Sequence, residues 1–290
     1  MDWKCLVVRR VQGFAHTFAL ICLFLVVTAC YDSGTPPKIE EYAYSRSHAT
    51  LRCEAGVRVG PASATDSAVS ADGIRFNVRA PSNYDATFAH PLLMVYAPAG
   101  QNRWMSERFT GLTPTATAAG FVVVYADHRP LGIPAIEQLS TIPGLVAKQW
   151  CIDEKRVYIT GHSDGGTVSL ALALLNQTKS LPSGIAPSAA GWTGKDLDAH
   201  QCRASIPVMI MHSANDKLFP GWGARTGAWW AACNQCDVAT TKQLDSGCIA
   251  YQKCAPGGAT LYCEGTGSHR EWPRLNRLML DFFVHPENFQ

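Results

Sequence analysis

The chain has little charge and no surplus of either sign: charged residues are 17% of its 290, with 25 Lys+Arg against 23 Asp+Glu. Without a basic excess it lacks the electrostatic footprint of a nucleic-acid binder. The apolar run Phe18–Ala29 is 12 residues long, too short to cross a hydrocarbon core that needs a helix of about twenty. There is no internal repeat, no low-complexity linker after the first seventy residues or so, and no second C-x-x-C to match Cys233–Cys236. These absences argue against a repeat architecture and a regular zinc site, and leave a signal peptide, cut nearby, or a short membrane anchor as readings of the apolar run. What is present is 47% apolar residues, enough for one sizeable core, and 11 cysteines, too many for an ordinary reduced cytosolic enzyme.

The N-terminal segment reads as an export signal. Lys4, Arg9 and Arg10 precede the apolar run, which ends in Val27-Thr28-Ala29-Cys30; a basic start and a short apolar stretch are the two parts of a signal peptide. The final four residues resemble the bacterial lipobox, which implies lipidation at Cys30 and a stable membrane anchor in the cell envelope, periplasmic or outer-membrane. Removing residues 1–29 takes away three basic residues and one acid, leaving 22 of each. Eight cysteines then remain besides Cys30: Cys53, Cys151, Cys202, Cys233, Cys236, Cys248, Cys254 and Cys263. An even number in an exported chain reads as disulfides, whose connectivity is mostly not deducible from sequence. Cys233-Asn-Gln-Cys236 could be half of a zinc site, but its other half would have to come from irregularly spaced Cys248, Cys254 or Cys263.

The expected organisation is a signal peptide over 1–29, a tether and irregular region over 30–68, and one catalytic domain over 69–290. Short apolar runs, Ile74–Arg79, Leu92–Ala97, Phe121–Ala126, Val157–Thr160, Val208–His212 and Ala259–Cys263, are continuous enough for strands covered on both faces. Helix-compatible stretches at Ala135–Gln149, Gly165–Asn176, Ala224–Cys233 and Trp272–Phe283 alternate with them. That alternation predicts an α/β domain with a mostly parallel sheet.

One segment carries chemistry. Val157-Tyr-Ile-Thr runs into Gly161-His-Ser-Asp-Gly165 and then a helix of small and apolar residues, a G-x-S-x-G in a strand–turn–helix context. A serine hydroxyl needs a base, and the base needs an orienting acid. Downstream, the histidines are His200, His212, His269 and His285. Only His269 falls in a loop between the last strand and last helix, at the sheet edge that must also hold Ser163. Asp216 ends the turn after Val208–His212, at the same edge; Asp196, Asp198, Asp237 and Asp245 are its competitors. Ser163, Asp216 and His269 are therefore the expected nucleophile, acid and base, a set that requires no metal or organic cofactor.

At these residues the chain resembles the α/β-hydrolase esterases grouped as poly(3-hydroxybutyrate) depolymerase and feruloyl esterase-like proteins. GHSDGG is similar to their nucleophile elbow, HSANDKLFP to their acid turn, and GTGSHREWP to their histidine loop. The resemblance spans about Ile74 to Phe283 and implies the same three roles for Ser163, Asp216 and His269. It departs in two places. The oxyanion stretch is Ala97-Pro98-Ala99-Gly100 instead of H-G-C-G; proline has no N–H, so the expected donors are the backbones of Ala99 and Asp164. The histidine loop is one residue longer before Trp272-Pro273, which makes Trp272 a candidate pocket residue and leaves substrate identity open. The resemblance implies a Cys236–Cys254 bond, and placing Cys151 and Cys202 before strands expected to be neighbours favours a Cys151–Cys202 bond. It lacks the separate binding domain of extracellular polymer depolymerases. The implied activity is hydrolysis of short-chain, hydroxyalkanoate or aromatic esters, with a soluble or oligomeric ester as partner; acyl transfer, peptide hydrolysis, or a non-catalytic envelope lipoprotein are the alternatives.

Overall fold

The computed structural model describes residues 53–290, apart from 55, 59, 61–63 and 203–204. The expected signal segment and Cys30 lie outside the described residues. The strands are β1 Ala64–Val69, β2 Arg75–Arg79, β3 His90–Tyr96, β4 Val122–Ala126, β5 Ile152–His162, β6 Gly184–Ser188, β7 Val208–Ser213, β8 Asp237–Gln243, β9 Cys248–Gln252 and β10 Thr260–Gly265. They form one sheet in the order β1-β2-β4-β3-β5-β6-β7-β10-β9-β8. From β4 to β10 the neighbours pair in parallel, while β1, β2, β8 and β9 add antiparallel edges.

The continuous apolar runs split by alternation onto two faces. Leu92, Met94 and Tyr96 of β3 join one core with Ile159 of β5 and Val208 and Ile210 of β7. Leu93 and Val95 join the other with Tyr158, Met209 and Met211. Helices α3 (Ile133–Ser140), α4 (Ile142–Ala147), α5 (Asp164–Leu174), α6 (Gly194–Asp198) and α7 (Trp222–Cys233) cover the first face. On the second lie α2 (Thr113–Ala118) and α8 (Asn276–Val284). Each Leu, Ile, Val or Phe buried in this way contributes roughly 1.5–3 kcal/mol. A further helix, α1 (Arg103–Thr110), begins after the loop that follows β3; Asn102 Oδ1 caps it by accepting the Met105 N–H at 2.9 Å.

The structure corrects four expectations. The single helix expected over Ala135–Gln149 is two, α3 and α4, because Pro143 cannot donate a helical hydrogen bond and starts a new helix. The helix expected from Trp272 begins at Asn276, since Pro273 disfavours helical backbone at the residue before it. β1 falls largely in the stretch expected to be irregular. Finally, Cys151 does not bond Cys202. Between β5 and β7, the strands these cysteines precede, the sheet inserts β6, whose sequence Gly-Ile-Ala-Pro-Ser carries no strand signal. Cys151 bonds Cys53 instead, and Cys202 bonds Cys233 at the end of α7. The other two bonds are Cys236–Cys254 and Cys248–Cys263. Cys233 and Cys236, candidates for a half zinc site, thus enter two separate disulfides. Four disulfides are the chemistry of an oxidising compartment. No helix among the described residues is long and apolar enough to cross a membrane.

Candidate active site

Ser163 stands between β5 and α5 with φ 54° and ψ −116°, a conformation that costs a non-glycine residue about 1–3 kcal/mol and persists only where its surroundings enforce it. The enforcement comes from backbone packing. A Cβ on Gly161 would lie 2.7 Å from the Tyr96 carbonyl oxygen and 2.6 Å from that of Gly165, and one on Gly165 would collide with the same Tyr96 carbonyl. The glycines of the motif are therefore the contact surface by which the turn presses against the end of β3. The Ser163 N–H donates to the Ser188 carbonyl at 2.9 Å, pinning the turn to β6 on its other side.

The histidine arrives from 106 residues away. The Ser163 hydroxyl donates to His269 Nε2 at 2.9 Å, and His269 Nδ1–H donates to Asp216 Oδ2 at 2.7 Å. An ionised carboxylate only accepts, so Nδ1 carries the ring proton and Nε2 presents its lone pair to the serine. Asp216 is 2% exposed. Burial by itself would raise its carboxyl, but the His269 ring and the N–H groups of Phe219 and Leu218, both 2.9 Å from Oδ1, outweigh it and hold the group below the usual carboxylate range. The three residues expected from sequence are thus brought into one hydrogen-bonded line.

The flanking groups were less legible. Asp164 is the first residue of α5, so its N–H is among those with no intrahelical partner. Its carboxylate pairs with His128 Nε2 at 2.9 Å, and the His128 N–H donates to the Gln101 carbonyl. That chain links the elbow to the loop carrying Ala99. Register pairs Tyr96 with Gly161, which sets Pro98–Gly100 at the same sheet edge as Ser163. Arg103 anchors this edge, forming two 3.1 Å contacts to Asp127 and a 2.7 Å bond to Asn77.

His162, inside the elbow, was not singled out by sequence reasoning, although it sits between the two diagnostic residues of the motif. It is buried; its Nε2–H donates to the His269 carbonyl at 2.6 Å, and its Nδ1 accepts from Ser188 Oγ at 3.0 Å. Burial pushes its pKa down to about 4, against the opposing effect of the bond to the His269 carbonyl. The neutral ring therefore ties the elbow directly to the histidine loop. Phe219 was also missed: its ring lies edge-on to His269, centroids 5.0 Å apart, and its carbonyl accepts from His212 Nε2 at 2.8 Å. His212 is a packing residue of the acid turn, as its position at the end of an apolar strand suggested. Trp272 lines a cavity of about 350 Å³ together with His162, Ser188, Asp216 and His269; Ser163 does not line it. Among the described residues no group of three or more His, Cys, Asp and Glu could hold a metal ion.

No family model matches the chain, and no curated protein matches it in sequence. Solved structures do. An acetyl xylan esterase from Aspergillus awamori superposes with a TM-score of 0.56 at 11% identity, covering 78% of this chain and 99% of that one. A truncated carbohydrate esterase from gut microbiota gives 0.56 at 12%, over 78% and 96% of the two chains. FphF, a fluorophosphonate-binding serine hydrolase of Staphylococcus aureus, gives 0.53 at 14%, over 78% and 99%. The chain has the α/β-hydrolase fold. In that fold the parallel strands run toward one edge, and here β5, β7 and β10 deliver Ser163, Asp216 and His269 to it.

Proposed function

We propose that this protein is a serine carboxylic-ester hydrolase that works through an acyl-enzyme. The observation that carries the reading is the unbroken line Ser163 Oγ, His269 Nε2, His269 Nδ1, Asp216 Oδ2, with contacts of 2.9 and 2.7 Å. Ser163 attacks the ester carbonyl while His269 takes its proton. The N–H groups of Asp164 and Ala99 hold the oxyanion. His269 then protonates the departing alcohol, and water, activated by the same ring, releases the acid. Asp216 keeps the imidazole in the required tautomer and stabilises the imidazolium. The esterases among the structural neighbours support this choice of bond, and the three matched motifs support membership of the poly(3-hydroxybutyrate) depolymerase and feruloyl esterase-like group. Short-chain, hydroxyalkanoate and aromatic esters are its proposed substrates, and Trp272, beside the histidine, its proposed pocket residue.

Ser163→Ala is expected to lower turnover of p-nitrophenyl butyrate by at least about 10⁴-fold and to abolish labelling by a fluorophosphonate probe, with circular dichroism unchanged. Undiminished hydrolysis would overturn the assignment. The proposed location is the bacterial envelope, with the chain exported and anchored through lipidated Cys30. Cys30→Ser should move the expressed protein from the membrane to the soluble fraction; retention in the membrane would refute the anchor.

A further inference from the structure

A groove of about 560 Å³ lies beside the histidine loop, walled by the last turn of α1 and by the segment that follows His269 into α8. Four of the groups lining it are guanidinium-bearing: Arg108, Arg270, Arg274 and Arg277, all exposed. They meet one lining carboxylate, Glu271, whose Oε1 already accepts from the N–H and the hydroxyl of Ser268 at 2.8 and 2.9 Å. In a chain with balanced charge, this is a local concentration of one sign, and a groove so lined attracts anions. Guanidinium groups match carboxylates in a two-pronged geometry that a lone ammonium cannot offer.

The groove is built and joined to the catalytic edge. Trp272 Nε1–H donates to Asn276 Oδ1 at 2.7 Å, and Asn276 Nδ2–H donates to the Thr110 carbonyl at 2.9 Å, so one side-chain relay locks its two walls together. Rings lead from it to the base: Trp272 and Phe109 at 6.3 Å, Phe109 and His162 at 5.1 Å, His162 and His269 at 5.4 Å. Arg270 directly follows His269. Because His269 is the group that protonates the leaving alcohol, the flank of its loop is where the alcohol half of an ester resides.

We propose that this arginine groove binds a carboxylate carried by the alcohol half of the substrate, which makes the enzyme selective for acid-bearing esters such as short hydroxyalkanoate oligomers with a free terminal carboxyl. The inference rests on the ester-hydrolase reading and specifies its substrate class. Its test compares the linear 3-hydroxybutyrate dimer as free acid with the methyl ester of the same dimer. The expected ratio of kcat/KM, acid over methyl ester, is at least about 10 for the wild type, the equivalent of one charge-assisted hydrogen bond. Arg108→Gln and Arg274→Gln, both at exposed positions, should each lower that ratio several-fold, as should raising NaCl to about 0.5 M, which screens exposed charges. A wild-type ratio of one or less, or a ratio that neither substitution nor salt moves, overturns the proposal. If both dimers are inert while p-nitrophenyl butyrate is hydrolysed in a Ser163-dependent manner, the groove assignment fails and the hydrolase reading stands. If hydrolysis of p-nitrophenyl butyrate survives Ser163→Ala, the hydrolase reading fails and takes the groove assignment with it.

Discussion

Ser163 and His269, the proposed nucleophile and base, are held at the same sheet edge by opposite means. Ser163 is positioned mainly by backbone: two glycines let the turn between β5 and α5 press on the Tyr96 carbonyl. His269 stands on an exposed loop held by side-chain tethers. Asn215 Nδ2 donates to the Thr266 carbonyl at 2.6 Å, Ser213 Oγ donates to the Gly267 carbonyl, and His162 Nε2 donates to the carbonyl of His269 itself. Close packing of backbone has few ways to yield, whereas a set of hydrogen bonds can lose one member and keep the rest. Errors on the serine side should therefore damage the fold, and errors on the histidine side should damage the rate first.

The largest expected effect is on the histidine side. Asp216→Asn should lower kcat by about 10⁴-fold with little change in melting temperature, because the amide favours the wrong imidazole tautomer while occupying the same space. A loss of ten-fold or less, measured with p-nitrophenyl butyrate, would mean that the carboxylate does not orient the base. On the serine side, Gly165→Ala should destabilise the protein by about 4 kcal/mol or more in urea unfolding, since its methyl group collides with backbone that cannot move aside. A wild-type unfolding midpoint would show that the elbow is adaptable after all and erase the contrast.

The smallest effect sharpens the comparison at the one residue that belongs to both sides. His162→Ala removes the tether between elbow and histidine loop and should cost roughly 5- to 10-fold in kcat, the rate equivalent of about one hydrogen bond, whereas His162→Gln, which keeps a donor, should retain most activity. The same pair reads out pH. The folded-state pKa of about 4 lies below the ordinary value of 6.5, so below pH 6.5 the unfolded chain takes up a proton that the native ring refuses. Stability is therefore undiminished by this group above pH 6.5 and falls as the pH drops toward 4, by of the order of 3 kcal/mol at most. His162→Gln should flatten the slope of unfolding free energy between pH 6.5 and 4. An unchanged slope would assign the acid sensitivity to other groups.

Much of the site was legible because its parts are local. The elbow is five consecutive residues whose glycines and flanking strand and helix all state the same geometry. Asp216 and His269 were reached from their places after apolar runs, since parallel strands present their C-terminal ends at one edge. Strands β3, β4 and β7 were legible as continuous apolar runs, and the structure shows both faces of each covered. β6 was not, because a five-residue strand containing Gly184 and Pro187 has its character conferred by neighbours on either side. Missing it made the strands after Cys151 and Cys202 look adjacent, and the wrong disulfide followed from that. β8, mostly exposed at the sheet's edge, carries no burial pattern to read.

The amino-acid sequence by itself determined the α/β class, the strained turn at Ser163 and the order of Ser163, Asp216 and His269 along the sheet edge, because each depends on residues within a few positions of one another or on the direction in which a strand runs. Tertiary structure decided the rest: which cysteines meet besides Cys236 and Cys254, the bonds by which His162 ties the elbow to β6 and to the histidine loop, and the gathering of Arg108 beside Arg270, Arg274 and Arg277. Those contacts join segments roughly 15 to 170 residues apart. Loop closure over such distances is set by the packing of the whole sheet, and no local pattern in the chain records it.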